Sequence, residues 1–270
     1  MPPLSSVQRA AVASFVSITG ASEKTATRYL KNTGYKLNEA VDSYFQSNAG
    51  ASSTTKDTQL TKLFDGLRNA EEDPKDSLGA DSSMAYLTSI GVDLEGASLF
   101  LAMELVQAPT IGEITRTGFV NGWKAQPAAE AKIESQKQIF KRLVESLGKD
   151  RDLFRKVYRY AFVVGREGDQ RALSLDNAIL YWELLFKKPG MLWIGETTGT
   201  DWLAEWITFL RENWTRSVSR DMWNQTYEFA LKSMADEALS FWSEDGAWPG
   251  VIDDFVAWYK RKSSEMDVDA

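Results

Sequence analysis

From Leu60 onward, apolar residues recur at helical spacing in almost every window, and this period leaves room for little but α-helix. Leu60, Leu63, Phe64 and Leu67 form one stripe, Ile139, Phe140, Leu143 and Leu147 a second, and Leu153, Phe154, Val157, Tyr158, Ala161 and Phe162 a third. Leu175, Ala178, Ile179 and Trp182 continue the pattern, as do Trp202, Leu203, Trp206 and Leu210. No segment alternates apolar and polar residues long enough to demand a sheet. The expected fold class is therefore all-α. Every Trp except Trp123 lies at or after Trp182, and the ordinary role of such rings is core packing.

Residues 6–46 read as three short helices. Val7, Ala11 and Phe15 share one face of the first, which stops near Gly20. Ser22 is placed to cap a second carrying Ala26, Tyr29 and Leu30, and Gly34 stands where a left-handed residue would close it. Asn38 would cap a third, with Val41, Tyr44 and Phe45 facing inward. The expected organisation is a three-helix unit at 1–48, a flexible Ser/Thr/Ala-rich linker at 49–58, a larger helical domain at 59–262, and a short acidic disordered tail at 263–270. Within the larger domain, the loops 71–77 and 107–112 lie between helices at positions that imply paired EF-hand-like units. Neither has the alternating oxygen ligands, central Gly and terminal Glu that calcium requires, so both are read as vestigial. No metal or other cofactor is expected.

The chain contains no Cys and no His, and those absences exclude much chemistry. A thiolate nucleophile or a thioester carrier is impossible, and so is a Cys/His zinc site of the RING type. The acid pairs Glu71-Glu72, Glu244-Asp245 and Asp253-Asp254 have no His to act as base, and no Gly-Lys-Ser/Thr phosphate loop is present. A binding protein is expected, not a catalyst. The net charge of −7 argues against a nucleic-acid partner. Basic side chains outnumber acidic ones in 1–48, whereas acidic ones dominate 235–270, so a basic partner would dock near the C-terminal end. With no apolar signal segment and no stretch of transmembrane length, the chain is expected in the cytoplasm and nucleus, away from membranes.

The run from Ser243 to Val256 sets acids around a Trp248-Pro249 corner and leads into an amphipathic segment, Val251-Ile252-Asp253-Asp254-Phe255-Val256. Together with Ser219-Arg220-Asp221-Met222-Trp223 upstream, it resembles the C-terminal half of the defective-in-cullin-neddylation family, and the resemblance covers most of the chain. The first forty or so residues are similar to a UBA domain, with Ile18-Thr19-Gly20-Ala21 in place of that family's Met-Gly-aromatic turn. Ubiquitin binding and a purely structural role both stay open for this module. The resemblance implies a non-catalytic, scaffold-type co-ligase that holds a cullin and the conjugating enzyme of a ubiquitin-like modifier, and so promotes cullin neddylation beside the RING protein of the complex. It implies a patch that docks on the cullin C-terminal region, mapping to Asp221, Ala247 and Asp253. It also implies an apolar pocket for the acetylated N-terminal Met of the conjugating enzyme, mapping to Leu87, Leu101, Val164, Tyr181 and Leu184. The bland alternatives are a first-turn acid favoured by the helix dipole, for Asp221, and ordinary core packing, for Tyr181 and Leu101. Two other functions compete: a ubiquitin-binding adaptor that docks on cullin complexes without accelerating transfer, and a calcium-responsive helical adaptor. The segment 190–200 looks longer than the corresponding family connection and suggests no role.

Overall fold

The computed structural model describes residues 5–19 and 23–268. They are helical almost throughout, with one two-stranded ribbon, in line with the all-α expectation. The chain divides into two compact units, Met1–Gln59 and Leu60–Ala270.

In the first unit, α1 (Ser6–Thr19) opens with a reciprocal cap, in which the Gln8 amide donates to Ser5 Oγ at 3.2 Å and the Ser5 amide to Gln8 Oε1 at 2.9 Å. The second helix, α2 (Glu23–Asn32), closes through Gly34 at φ 62°, the left-handed position its glycine implied, and the Tyr35 amide returns to the Leu30 carbonyl at 2.6 Å. Gly20 and Ser22 lie outside the described residues. Asn38 does not cap the third helix, because α3 (Leu37–Leu67) already includes it. Phe15, Ala26, Leu30 and Ala40 are fully buried. Phe15, Tyr29 and Tyr44 meet ring to ring at 5.4–6.2 Å, which gives this small core a large apolar area for its size.

Two boundaries differ from the sequence reading. The segment 49–58 is not a break between helices, since α3 runs through it. It contains no proline, and extending a helix already formed on either side costs far less than nucleating a new one. The last turns of α3 belong to the second unit, where Leu60 and Phe64 are fully buried. At the other end, α12 (Gly250–Val268) continues through 263–268, with the Ser263 and Ser264 hydroxyls bonded back to the Tyr259 and Lys260 carbonyls. A helix anchored by buried Phe255 and Val256 carries this acidic stretch outward as further turns. Asp269 and Ala270 lie outside the described residues.

The second unit begins with the EF-hand-like pair. Helices α4 (Ala80–Ser89), α5 (Ala97–Leu105) and α6 (Arg116–Lys124) flank a ribbon in which β1 (Ser77–Leu78) runs antiparallel to β2 (Ile114–Thr115), Leu78 opposite Ile114. Each strand follows one of the two loops picked out by the sequence. The carboxylates of the first loop are spent on the protein itself. Asp73 accepts from the Asn69 and Gly79 amides at 2.8 and 2.9 Å, and Asp76 pairs with Arg116 at 2.8 Å. Arg116 also reaches Asp65 at 2.7 Å and lies over the Phe64 ring, which ties α3 to the ribbon. Among the described residues, no group of three acids is arranged to hold a metal ion. Gly118 and Gly122 lie within α6 and let it pack against the end of α5, since a Cβ there would come 2.1 Å from the Val106 carbonyl oxygen and 2.0 Å from that of Leu105.

Six longer helices complete the unit: α7 (Ile133–Leu147), α8 (Arg151–Val164), α9 (Leu175–Leu185), α10 (Trp202–Asn213), α11 (Arg220–Ala235) and α12. Helix α8 is central, packing on both α5 and α11. Trp223 is stacked between Trp182 and Tyr158, at 5.1 and 4.6 Å. The buried polar atoms there are paired: Trp182 Nε1 donates to the Tyr158 hydroxyl at 2.8 Å, that hydroxyl to the Trp223 carbonyl at 2.7 Å, and Trp223 Nε1 to the Tyr158 carbonyl at 2.9 Å. Such closed networks keep burial from becoming a penalty and hold α8, α9 and α11 in one register.

Candidate functional site

The residues mapped to a cullin contact sit at the starts of two helices. Ser219 caps α11 by accepting from the Met222 amide at 3.1 Å, which puts Asp221 in the first turn, exposed. A carboxylate there faces unpaired amides and the positive end of the helix dipole. Asp253 occupies the equivalent turn of α12, where the Ile252 and Asp253 amides donate to the Pro249 carbonyl. Asp253 is half-buried and accepts from Trp242 Nε1 at 2.8 Å. Trp242 in turn lies under the Lys260 ammonium, 4.7 Å from the ring centre. Its carboxylate is thus held in one orientation, with the second oxygen still available. Ala247 is exposed in the turn before α12, beside Trp248, which packs on Phe229 and Phe241. The backbone of this turn is therefore anchored while its small side chain faces outward.

A groove of about 350 Å³ joins the two helix starts. Ser219 and Met222 of α11 form one side, Pro249, Val251 and Asp254 of α12 the other, and Trp214 and Arg216 close it. Residues thirty positions apart in sequence thus share one surface. Sequence reasoning missed Trp242 here and named Asp254 only as one of an acid pair. Nothing local to Asp253 marks the indole that orients it.

The five residues mapped to an apolar pocket have a different setting. Leu87 of α4, Leu101 of α5, Val164 at the end of α8 and Tyr181 of α9 are all buried within the main core, and Leu184 of α9 is half-buried against it. The Tyr181 ring meets Phe100 edge-on at 4.9 Å, so α9 and α5 touch at this point. Gly165 makes room for the ring, since a Cβ there would lie 2.1 Å from Tyr181 Cε2. Burial raises the Tyr181 hydroxyl above its ordinary pKa, with the nearby Glu167 charge adding to the effect. The phenol is neutral at physiological pH and can serve as a hydrogen-bond donor at the rim of an apolar site.

The segment 190–200 folds as a loop strapped to the end of α11. The Thr197 and Thr198 amides donate to Glu237 Oε1 at 2.6 and 2.8 Å, and the Thr198 hydroxyl donates to the other oxygen. The Glu196 amide reaches the Met234 carbonyl at 3.0 Å. Bonding from the Thr198 hydroxyl, ahead of the Thr198 and Thr197 amides, pulls the Glu237 carboxyl down to about 2.

Comparison with known proteins adds an independent line. The cullin-binding family profile matches residues 135–258, and the UBA-like domain profile matches residues 9–51. Defective in cullin neddylation protein 1 of Pyricularia oryzae is 45% identical over 281 residues, an alignment covering 99% of this chain and 100% of that one. The protein of the same name from Yarrowia lipolytica is 31% identical, covering 91% of this chain and 94% of the relative. That from Saccharomyces cerevisiae is 25% identical, covering 93% of each.

Proposed function

The chain belongs to the defective-in-cullin-neddylation family, and from that premise we propose that it acts as a non-catalytic, scaffold-type co-ligase for cullin neddylation. A role in cullin neddylation follows from the cullin-binding match and the relatives' shared name. The observation that carries the finer reading is the surface at the starts of α11 and α12. It lies within the matched region, with Asp221 exposed in the first turn of α11, the Trp242-held Asp253 in the first turn of α12 and Ala247 exposed in the turn before α12. Carboxylates at two helix starts and a nearby turn without bulk suit the Lys and Arg side chains of a basic partner, with the Asp253 oxygens already oriented by Trp242. The pocket residues Leu87, Leu101, Val164, Tyr181 and Leu184 supply the second contact, for the N-acetylated start of the conjugating enzyme. An acetylated amine suits an apolar wall because a free ammonium is costly to desolvate.

The mechanism is positional. The chain has no Cys or His to carry a thioester or bind zinc, so the conjugating enzyme and the RING protein supply the chemistry. Holding the cullin and the charged enzyme together raises the effective concentration of the target lysine at the thioester. The UBA-like module, with Ile18 exposed at the end of α1, is assigned to ubiquitin or the related modifier. The working place is the cytoplasm and nucleus, where cullin complexes would be met. A pulse-chase assay with pre-charged conjugating enzyme tests the reading. Adding the protein below saturation should accelerate transfer to cullin without any covalent intermediate on this chain. An unchanged rate with retained cullin binding would leave a docking adaptor as the function instead.

A further inference from the structure

Away from the acidic helix starts, the second unit gathers cations that the protein does not neutralise. Lys149, Arg151, Lys187 and Lys188 are all exposed, and none takes part in the ion pairs found among the described residues. They come from two segments pressed together. A Cβ at Gly148 would lie 2.5 Å from the Gly190 carbonyl oxygen and 2.9 Å from that of Pro189, so the turn before α8 sits directly on the segment after α9. Phe186, just ahead of the two lysines, packs on Phe154 and Tyr158 at 5.9 and 5.8 Å and fixes that segment to the core. Two acids share the turn and are outnumbered by the four cations. Asp150 caps α8 by accepting from the Asp152 and Leu153 amides, and Asp152 faces Arg155 at 3.7 Å.

Local energetics account for only part of this arrangement. Lys187 and Lys188 follow the end of α9, where a cation is favoured, but Arg151 is the first residue of α8, where the helix dipole disfavours one. The cluster is also set apart from Asp221. Helices α8 and α11 lie side by side, with the Tyr158 hydroxyl on the Trp223 carbonyl and the Tyr227 hydroxyl donating to the Arg151 carbonyl at 3.3 Å. From Asp221 to Tyr227 the helix rises about 9 Å. Leu192, close after the lysines in sequence, is 39% exposed.

We propose that this cluster is a second protein-docking surface, which takes an acidic polypeptide segment bearing an apolar residue, the latter set against Leu192. A polypeptide fits better than a nucleic acid. The chain's net charge of −7 repels a phosphate backbone at long range, and no aromatic ring is among the large exposed apolar side chains of the described residues, which leaves bases nothing to stack on. The inference stands apart from the neddylation reading, because it uses none of the residues assigned to it.

The test is fluorescence anisotropy on the full chain, with a labelled peptide of Asp and Glu residues around a single Leu, at about 0.15 M salt. Binding should weaken as salt rises. Charge reversal by Lys149→Glu, Arg151→Glu, Lys187→Glu and Lys188→Glu together should weaken it at least about tenfold, with the circular dichroism spectrum unchanged. Should that variant misfold, the milder Lys149→Gln with Lys187→Gln should give a smaller loss in the same direction. Replacing the peptide Leu by Ser should also reduce affinity. No binding to the wild-type chain, or equal binding to a folded variant, overturns the proposal. It is equally overturned if a DNA duplex or phosphatidylserine vesicles bind more tightly through these residues, or if the cations serve instead to pair two copies of the chain in low-salt sedimentation.

Discussion

The two sets of residues assigned to partner contacts differ in how far they can be separated from the fold. Asp221 and Ala247 project from helix starts and are exposed, and Asp253 is tied down by one indole bond, so this surface is laid over a scaffold that stands without it. Leu87, Leu101, Val164 and Tyr181 are themselves the scaffold, buried in the same core that holds the Trp182, Trp223 and Tyr158 stack. The lesson is that a charge-based contact can be edited with little structural cost. An apolar contact made from core residues cannot, and Leu184, half-buried at the edge, is the exception.

The largest effect expected is on stability at the buried set. Leu101→Ala should lower unfolding free energy by roughly 2–5 kcal/mol in urea titrations, whereas Asp221→Lys should stay within about 0.5 kcal/mol. Equal losses at the two positions would erase the contrast.

Next in size is binding at the exposed set. Asp221→Lys, Ala247→Arg and Asp253→Lys together should weaken cullin binding at least about a hundredfold by calorimetry, with helical content retained. Full affinity in a folded triple variant would remove these residues from the interface. Leu184→Ala should follow, costing roughly tenfold in affinity for an N-acetylated conjugating-enzyme peptide. The same peptide with a free amine should bind more weakly to the unaltered protein. If both forms bind alike, the apolar contact lies elsewhere.

Smaller effects probe how each surface is held. Trp242→Phe removes the donor to Asp253 and should cost about 1 kcal/mol in cullin binding, while Asp221→Lys in that background retains its own effect. Additivity failing between such separated sites would point to a shared rearrangement of the α11 and α12 starts. The mildest test is acid titration of the Glu237 strap. Its folded pKa of about 2 lies below the ordinary glutamate value of 4.5, so its contribution is complete above pH 4.5 or so and disappears as pH falls toward 2. Thr197 and Thr198 amide shifts should move in that window, and flat shifts there would show the strap to be absent in solution.

Much of this molecule was legible one segment at a time. Periodic stripes such as Leu153 to Phe162 announce helices because the apolar face of a helix repeats with its own backbone geometry, and Gly34 announces a terminus because left-handed backbone favours residues without a Cβ. The acidic starts of α11 and α12 were legible for the same reason, since Ser219 and Pro249 stand beside the turns they shape. Less was legible where helix continuity was decided by neighbouring turns. Ser/Thr/Ala composition at 49–58 reads as a linker, yet the absence of proline lets α3 continue through it.

The sequence by itself determined the helical class, the absence of a thiol nucleophile and of a Cys/His zinc site, and the order of the two units, because all three depend on residue type and local spacing. Tertiary structure alone decided that Trp242 holds Asp253, that Glu237 straps the 197–198 amides, and that Gly148, next to Lys149, sits on the Pro189-Gly190 backbone that follows Lys187 and Lys188. These are meetings between segments 11 to 40 residues apart or brought together by the packing of α8 against α9 and α11, and no local propensity encodes which of the many possible partners each side chain will find.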